Sequence, residues 1–304
     1  IAFVHRVTRA ASAKLSPMRT RDVVDLLLLS LLWGAAYLFM RSAVPAFGPA
    51  PLAFVRLSLA TLMLTPLLLW RGGWPQLRAR PVALLVLGIP FTGIPFLLLA
   101  FASQHLTAGL VSVLNATSPL FAALVAHHLA KERLGRWRVL GLVVGLLGVV
   151  LLMWGGTAFK SNDGRLAVGA VLLGSVAWGF GSHHTRKRLG GVDAVAMTVG
   201  SLLAASLFLA PFALASWPQQ TPPARAWMEV VFLGVASSGL GFLLYFRLLR
   251  RIGPVRAMSV TFLNPVVSVV AGALYLGEGV TLQMLGGGAV VLLRSGTSRS
   301  PKSR

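Results

Sequence analysis

The sequence predicts an all-α membrane protein with ten transmembrane helices laid out as a 5+5 inverted-topology repeat. Three observations predict it. The chain holds ten long apolar stretches, its basic residues gather in alternate loops, and one set of landmarks recurs at a nearly constant offset.

The apolar stretches come first. Of 304 residues, 56% are hydrophobic and 12% charged, and the mean hydropathy is +0.78. A water-soluble domain of this size cannot cover so much apolar surface, so the lipid bilayer is the expected solvent. The stretches run roughly over 25–43, 51–70, 82–104, 107–130, 139–155, 166–185, 193–215, 226–246, 255–277 and 279–294. Each approaches the length needed to cross about 30 Å of hydrocarbon as a helix, the fifth and tenth being short. They leave room for loops and two tails, and for no separate soluble domain.

Charge placement comes second. A formal charge of +21 raises the question of nucleic acid, but the basic residues cluster between apolar stretches rather than along a polar face, so no nucleic-acid partner is expected. With the N-terminus cytoplasmic, 23 Lys and Arg fall on the inside and four on the outside, Arg41, Lys160, Arg165 and Arg225; Arg56 lies within the second stretch. Both termini are therefore expected in the cytoplasm, and the even number of crossings follows. Residues 1–21 read as a basic cytoplasmic tail. A native start at Met18 would make residues 1–17 upstream read-through; an organellar transit peptide or a disordered basic tail is the other reading. There is no cysteine, which excludes disulfides and thiolate metal sites.

Internal duplication comes third. At an offset of 145, Trp33-Gly34 meets Trp178-Gly179 and Pro66 meets Pro211; at 146, Leu87-Gly88 meets Leu233-Gly234, Gly93 meets Gly239, Pro119 meets Pro265 and Glu132 meets Glu278. The units are 22–157 and 164–294, followed by a cytoplasmic tail, 295–304. Because each unit holds an odd number of crossings, the second must traverse the membrane in the opposite sense. Loop charges agree: four basic residues accompany Glu132 and none lies between the stretches that flank Glu278. Many secondary transporters share such an inverted repeat, with the solute held near the midplane where helices are interrupted.

Candidate residues follow from that geometry. Pro119 and Pro265 fall near the middle of their stretches and free the carbonyls of Asn115 and Thr261; they either line a cavity or only kink a helix. Trp33 and Trp178 also sit at midspan, away from the interfacial belts, with Tyr37 one turn beyond Trp33; their polar tips need partners or face a polar space. Ser112, Asn115, Thr117, Thr261 and Asn264 offer hydrogen bonds to a solute or to neighbouring helices. Arg56 either snorkels to the headgroups or serves as an anion contact, for instance for a carboxylate. Glu132 and Glu278 each end one helix and introduce the next, where a carboxylate suits the N-terminus that follows; they are read as structural caps, with gating as the alternative. His127-His128 and His183-His184 read as interfacial histidines, with a proton-sensitive gate as the alternative; neither a metal site nor a cofactor is expected. Gly141, Gly145 and Gly148 form a face for close helix contact, within one chain or across a homodimer.

The duplicated Trp-Gly, the small-residue stretch with a central proline, the glutamate after it and the glycine-rich last stretch resemble the EamA family of the drug/metabolite transporter superfamily, over residues 22–294. Gly277-Glu278 fits the Gly-Glu of that family, while Lys131-Glu132 departs from it, and Arg56 corresponds to Ser201 in the second unit. The resemblance implies an inner-membrane carrier whose third, fourth, eighth and ninth helices line a midplane cavity, with the first and sixth alongside. It implies a small-molecule substrate such as an amino acid, usually moved outward. Few fixed charges in that region suit a neutral, zwitterionic or amphipathic solute. Exchange of nucleotide sugars is the second reading, and a non-transporting membrane protein or lipid flippase the third. No convergent catalytic set stands out, so no enzyme is expected.

Overall fold

A computed structural model describes residues 19–131, 162–257 and 260–279. Glu132, the stretch expected at 139–155 and all but the first residue of the one expected at 279–294 lie outside the described residues. Among the described residues every regular element is a helix: α1 (Thr20–Phe47), α2 (Pro49–Trp70), α3 (Trp74–Ala79), α4 (Pro81–Gly88), α5 (Ile94–His105), α6 (Ala108–Asn115), α7 (Ser118–Ala130), α8 (Asn162–Arg188), α9 (Ala194–Ala215), α10 (Ala224–Val231), α11 (Gly241–Ala257) and α12 (Val260–Leu276). Two wider, π-helical segments, Ile89–Gly93 and Phe232–Leu240, join α4 to α5 and α10 to α11.

Taken with these joins, seven helices are long and apolar enough to cross a bilayer, and Leu263–Leu276 is a shorter apolar one. They match the first four and the sixth to ninth of the expected stretches. Exposed leucines such as Leu31, Leu62, Leu173 and Leu207 point outward from these helices, which water would penalise and lipid tails do not. The chain is thus a multi-pass membrane protein.

Local sequence explains the irregular places. Pro90 and Pro95 lack N–H groups inside one transmembrane helix, and the ladder widens there, with Ile94 N–H bonding back to the Ile89 carbonyl. Between α6 and α7 the helix breaks: Pro119 cannot donate to the carbonyl of Asn115, and Ser118 Oγ takes that carbonyl instead at 2.6 Å. The second expected interruption takes a different form, because α12 runs unbroken through Pro265. A proline removes only one backbone bond there, and packing on both sides holds the helix together.

Packing then arranges the helices. α2 lies along α9, α8 along α5 and α7, and α12 along α1 and α6. One core gathers Val44, Phe47, Leu114, Val168 and Leu233; a second gathers Leu57, Leu64, Leu84 and Leu202 between α2, α4 and α9. The third joins Leu26 and Leu29 of α1 to Leu248 of α11 and Val260 at the start of α12. The far end of α12 meets the start of α6, where Glu278 accepts the Ala108 N–H.

Candidate functional site

Two polar clusters and one polar layer stand out. At one end, Asp22 and Asp25 of α1 lie 3.6 to 3.7 Å from Arg247 and Arg251 of α11. At the other, a cavity of about 520 Å³ is bordered by Arg41, Ser42, Arg225, Glu229 and Glu278. Glu229 holds Ser42 at 2.7 Å and Arg225 at 3.0 Å. Glu278 accepts the Ala108 N–H with both oxygens, at 3.0 and 3.1 Å, and has Arg41 at 3.8 Å. Burial pushes its carboxyl above the usual carboxylate range, and the Ala108 and Gly109 amides and Arg41 offset this only in part. Its observed cap is thus a helix earlier in the chain. The helix expected after it, and the other expected cap, Glu132, lie outside the described residues.

The layer lies between these ends. Asn115, released by the break after α6, donates from Nδ2 to Tyr37 Oη at 2.6 Å, and its Oδ1 accepts from Ser118 at 3.2 Å and Ser175 at 3.4 Å. Across the layer, Trp33 Nε1 donates to the Ser237 carbonyl at 3.1 Å. That carbonyl is in the widened segment, where the Gly241 N–H turns to Ala236 and Ser238. Glycine is required at 241, since a Cβ there would stand 2.6 Å from the indole nitrogen.

Arg56 reaches the Ser237 side from α2. It lies about 10 Å along α2 from its first residue, at 1.5 Å per residue, yet only 7% of it is exposed. Its Nε donates to Ser238 Oγ at 3.0 Å and its Nη2 reaches Ser237 Oγ at 3.4 Å. Its guanidinium lies 4.5 Å above the Phe96 ring, and Phe96 meets Trp178 edge-on at 6.0 Å. The side chain turns across to another helix instead of toward the near end of its own.

Of the residues singled out in the sequence, Tyr37 and Asn115 are therefore hydrogen-bonded to each other, while Trp33 and Arg56 meet at Ser237 and Arg56 reaches Trp178 through Phe96. Asn264 joins them from α12: its carbonyl would be 3.1 Å from a Cβ on Gly34, next to Trp33. Ser112 and Asn264 are both buried, and among the described residues Ser112 Oγ and Asn264 Oδ1 have no hydrogen-bond partner. Pro119 is half-buried at the start of α7, and Pro265 is buried inside α12. Sequence reasoning did not single out Ser118, Ser175, Phe96 or Ser237-Ser238 as site residues. A serine three positions before Trp178 was the available signal for Ser175.

A family model described as the EamA-like transporter family matches residues 23–154 and 165–294. The chain is 29% identical over 273 residues to the "Uncharacterized inner membrane transporter YedA" of Escherichia coli (strain K12), covering 86% of each chain. It is 23% identical to the "Uncharacterized transporter YoaV" of Bacillus subtilis (strain 168), over 88% of this chain and 93% of that one. To the "Uncharacterized protein PA1977" of Pseudomonas aeruginosa it is 30% identical, over 83% of each. A solved crystal structure superposes with a TM-score of 0.63 at 21% identity, over 91% of this chain and 98% of the other, which is a likeness of fold.

Proposed function

Because this chain belongs to the EamA-like transporter family, we propose that it is a secondary transporter of the inner membrane, moving a small metabolite such as an amino acid outward by alternating access at the polar layer. The observation that carries this reading is the layer itself. Tyr37, Asn115 and Ser175 join α1, α6 and α8, and Trp33, Arg56 and Ser237-Ser238 join α1 and α2 to the widened segment before α11. Among the described residues, two further polar atoms, on Ser112 and Asn264, have no hydrogen-bond partner. Buried polar atoms without partners cost stability, and a bound solute supplies those partners.

Ten helices in two inverted halves fit this arrangement. Gly34 packs against Val267, and Gly179 against Phe121; these pairs are the same contact at offsets of 145 and 146. Trp-Gly of each half thus packs on the proline-bearing helix of the other. At the end bearing Glu278 α6 packs against α12, whereas α7 packs on α8. With both termini in the cytoplasm, that end faces outside, and alternating access exchanges these two packings.

Reconstituted in liposomes, the protein is expected to show saturable counterflow of a labelled amino acid or small metabolite, impaired by Trp33→Ala and by Asn115→Ala. Intact flux in both variants would remove the layer from the transport path. Scrambling of headgroup-labelled lipid without solute flux would replace the reading with that of a flippase.

A further inference from the structure

We propose that Arg56 is the anion subsite of the polar layer and that the solute it receives carries a single carboxylate joined to an apolar body. The proposal rests on the transport reading above and narrows its substrate class.

The argument is one of missing counter-charge. The chain has seven acidic residues, and six are described. Asp22 and Asp25 are beside Arg247 and Arg251 at one end. Glu229 and Glu278 are engaged at the other. Asp193 caps α9 through the Val195 N–H, and Asp163 lies in the first turn of α8. Among the described residues, then, the contacts of Arg56 are two serines, a methionine sulfur at 4.0 Å and a phenylalanine ring. None carries negative charge.

A buried guanidinium in a membrane span is costly unless a charge faces it. Packing does not demand one at this position, because the corresponding residue of the second half is Ser201, buried and uncharged. Of five N–H donors on the guanidinium, three are directed at Ser238, Ser237 and Met40. One remains on each terminal nitrogen, and a carboxylate takes such a pair in a fork.

A single positive charge neutralises a monoanion; a phosphate dianion would need a second cation in the layer, and the described layer holds none. The neighbouring Phe96, Trp178 and Trp33 are half-buried rings, suited to an apolar body beside the carboxylate. Amino acids and small aryl or alkyl carboxylates belong to this class.

The test uses full-length protein in detergent or nanodiscs and thermal unfolding as the readout, at constant ionic strength. The probes are acetate, benzoate, leucine and phenylalanine, each paired with its amide, with sulfate as a control. At saturating probe, at least one carboxylate is expected to raise the unfolding midpoint by several degrees, its amide much less, and sulfate no more than chloride. Arg56→Gln is expected to abolish the increment and Arg56→Lys to keep part of it. Equal shifts from acid and amide, no shift from any carboxylate, a larger shift from sulfate, or an undiminished shift in Arg56→Gln would each overturn the subsite. Acid–amide discrimination in the unaltered protein decides the matter even where a variant fails to fold. Saturable flux of a neutral solute that survives Arg56→Gln would sink this proposal and leave the transport reading standing.

Discussion

Gly34 and Val267 touch so closely that a Cβ on the glycine would collide with the valine Cβ. This contact seats α12 on α1 one residue from Trp33. Its counterpart, Gly179, faces backbone instead, with a new Cβ falling 3.0 Å from the nitrogen of Ala122 and the carbonyl carbon of Phe121.

Gly34→Ala is therefore expected to destabilise the protein by about 1 to 3 kcal/mol, the usual range for overpacking. Pairing it with Val267→Gly should recover part of that loss, because the obstacle is a side chain. Gly179→Ala should cost a similar amount, and trimming Phe121 to alanine should not relieve it, because the obstacle there is main chain. Unfolding midpoints of the single and double variants in one detergent measure the difference; equal rescue at both sites would refute this account of the two crossings.

The hydrogen bond from Asn115 to Tyr37 is tested by a double-mutant cycle with Asn115→Ala and Tyr37→Phe. Side-chain hydrogen bonds between membrane helices couple by about 0.6 kcal/mol on average and about 1.7 at most. A coupling in that range is expected for stability. Asn115→Ala should be the more damaging single change, because it also takes a partner from Ser118 and Ser175.

Much of the scaffold was legible from hydropathy and proline spacing. The expected 51–70 and 193–215 correspond to Pro49–Trp70 and Ala194–Ala215, because a lipid-facing helix must be apolar for its whole length. The break at Pro119 was also legible, since a missing N–H is a local fact. Pro265 bears the same local signal, yet α12 continues through it; packing on α1 and α6 decides that outcome, and packing is not written in a window of sequence. Nor could spacing reveal that Glu278 reaches the Ala108 amide, 170 residues away, or that Arg56 turns to Ser237 and Ser238 instead of the headgroups. Both depend on which helices the fold makes neighbours.

The inverted arrangement has a labelling signature. The chain has no cysteine, so single cysteines report without background. His128→Cys and Gly279→Cys replace exposed residues at the ends of α7 and α12. In right-side-out cells, a membrane-impermeant maleimide is expected to label position 279, and to label position 128 only after permeabilisation. Labelling of both from the same side would end the inverted-repeat reading.

Glu278 makes stability depend on pH in a definite direction. Its folded-state pKa is raised, chiefly by burial, so the folded protein holds this proton more tightly than the unfolded chain, whose glutamates titrate near about 4.3. Below that value the proton is bound in both states and the group's contribution is fully present; as pH rises through the folded-state pKa the contribution is lost. Arg41, Arg225 and Glu229 border the same cavity and are common to the protein and to Glu278→Gln, so the difference between the two isolates the carboxyl. The unaltered protein is expected to lose stability relative to Glu278→Gln as pH climbs from about 4.3 toward neutrality. Unfolding midpoints of both proteins across pH 4 to 8 give that difference curve. A flat curve, or one that rises with pH, would mean that the Ala108 amide and Arg41 outweigh burial at this site.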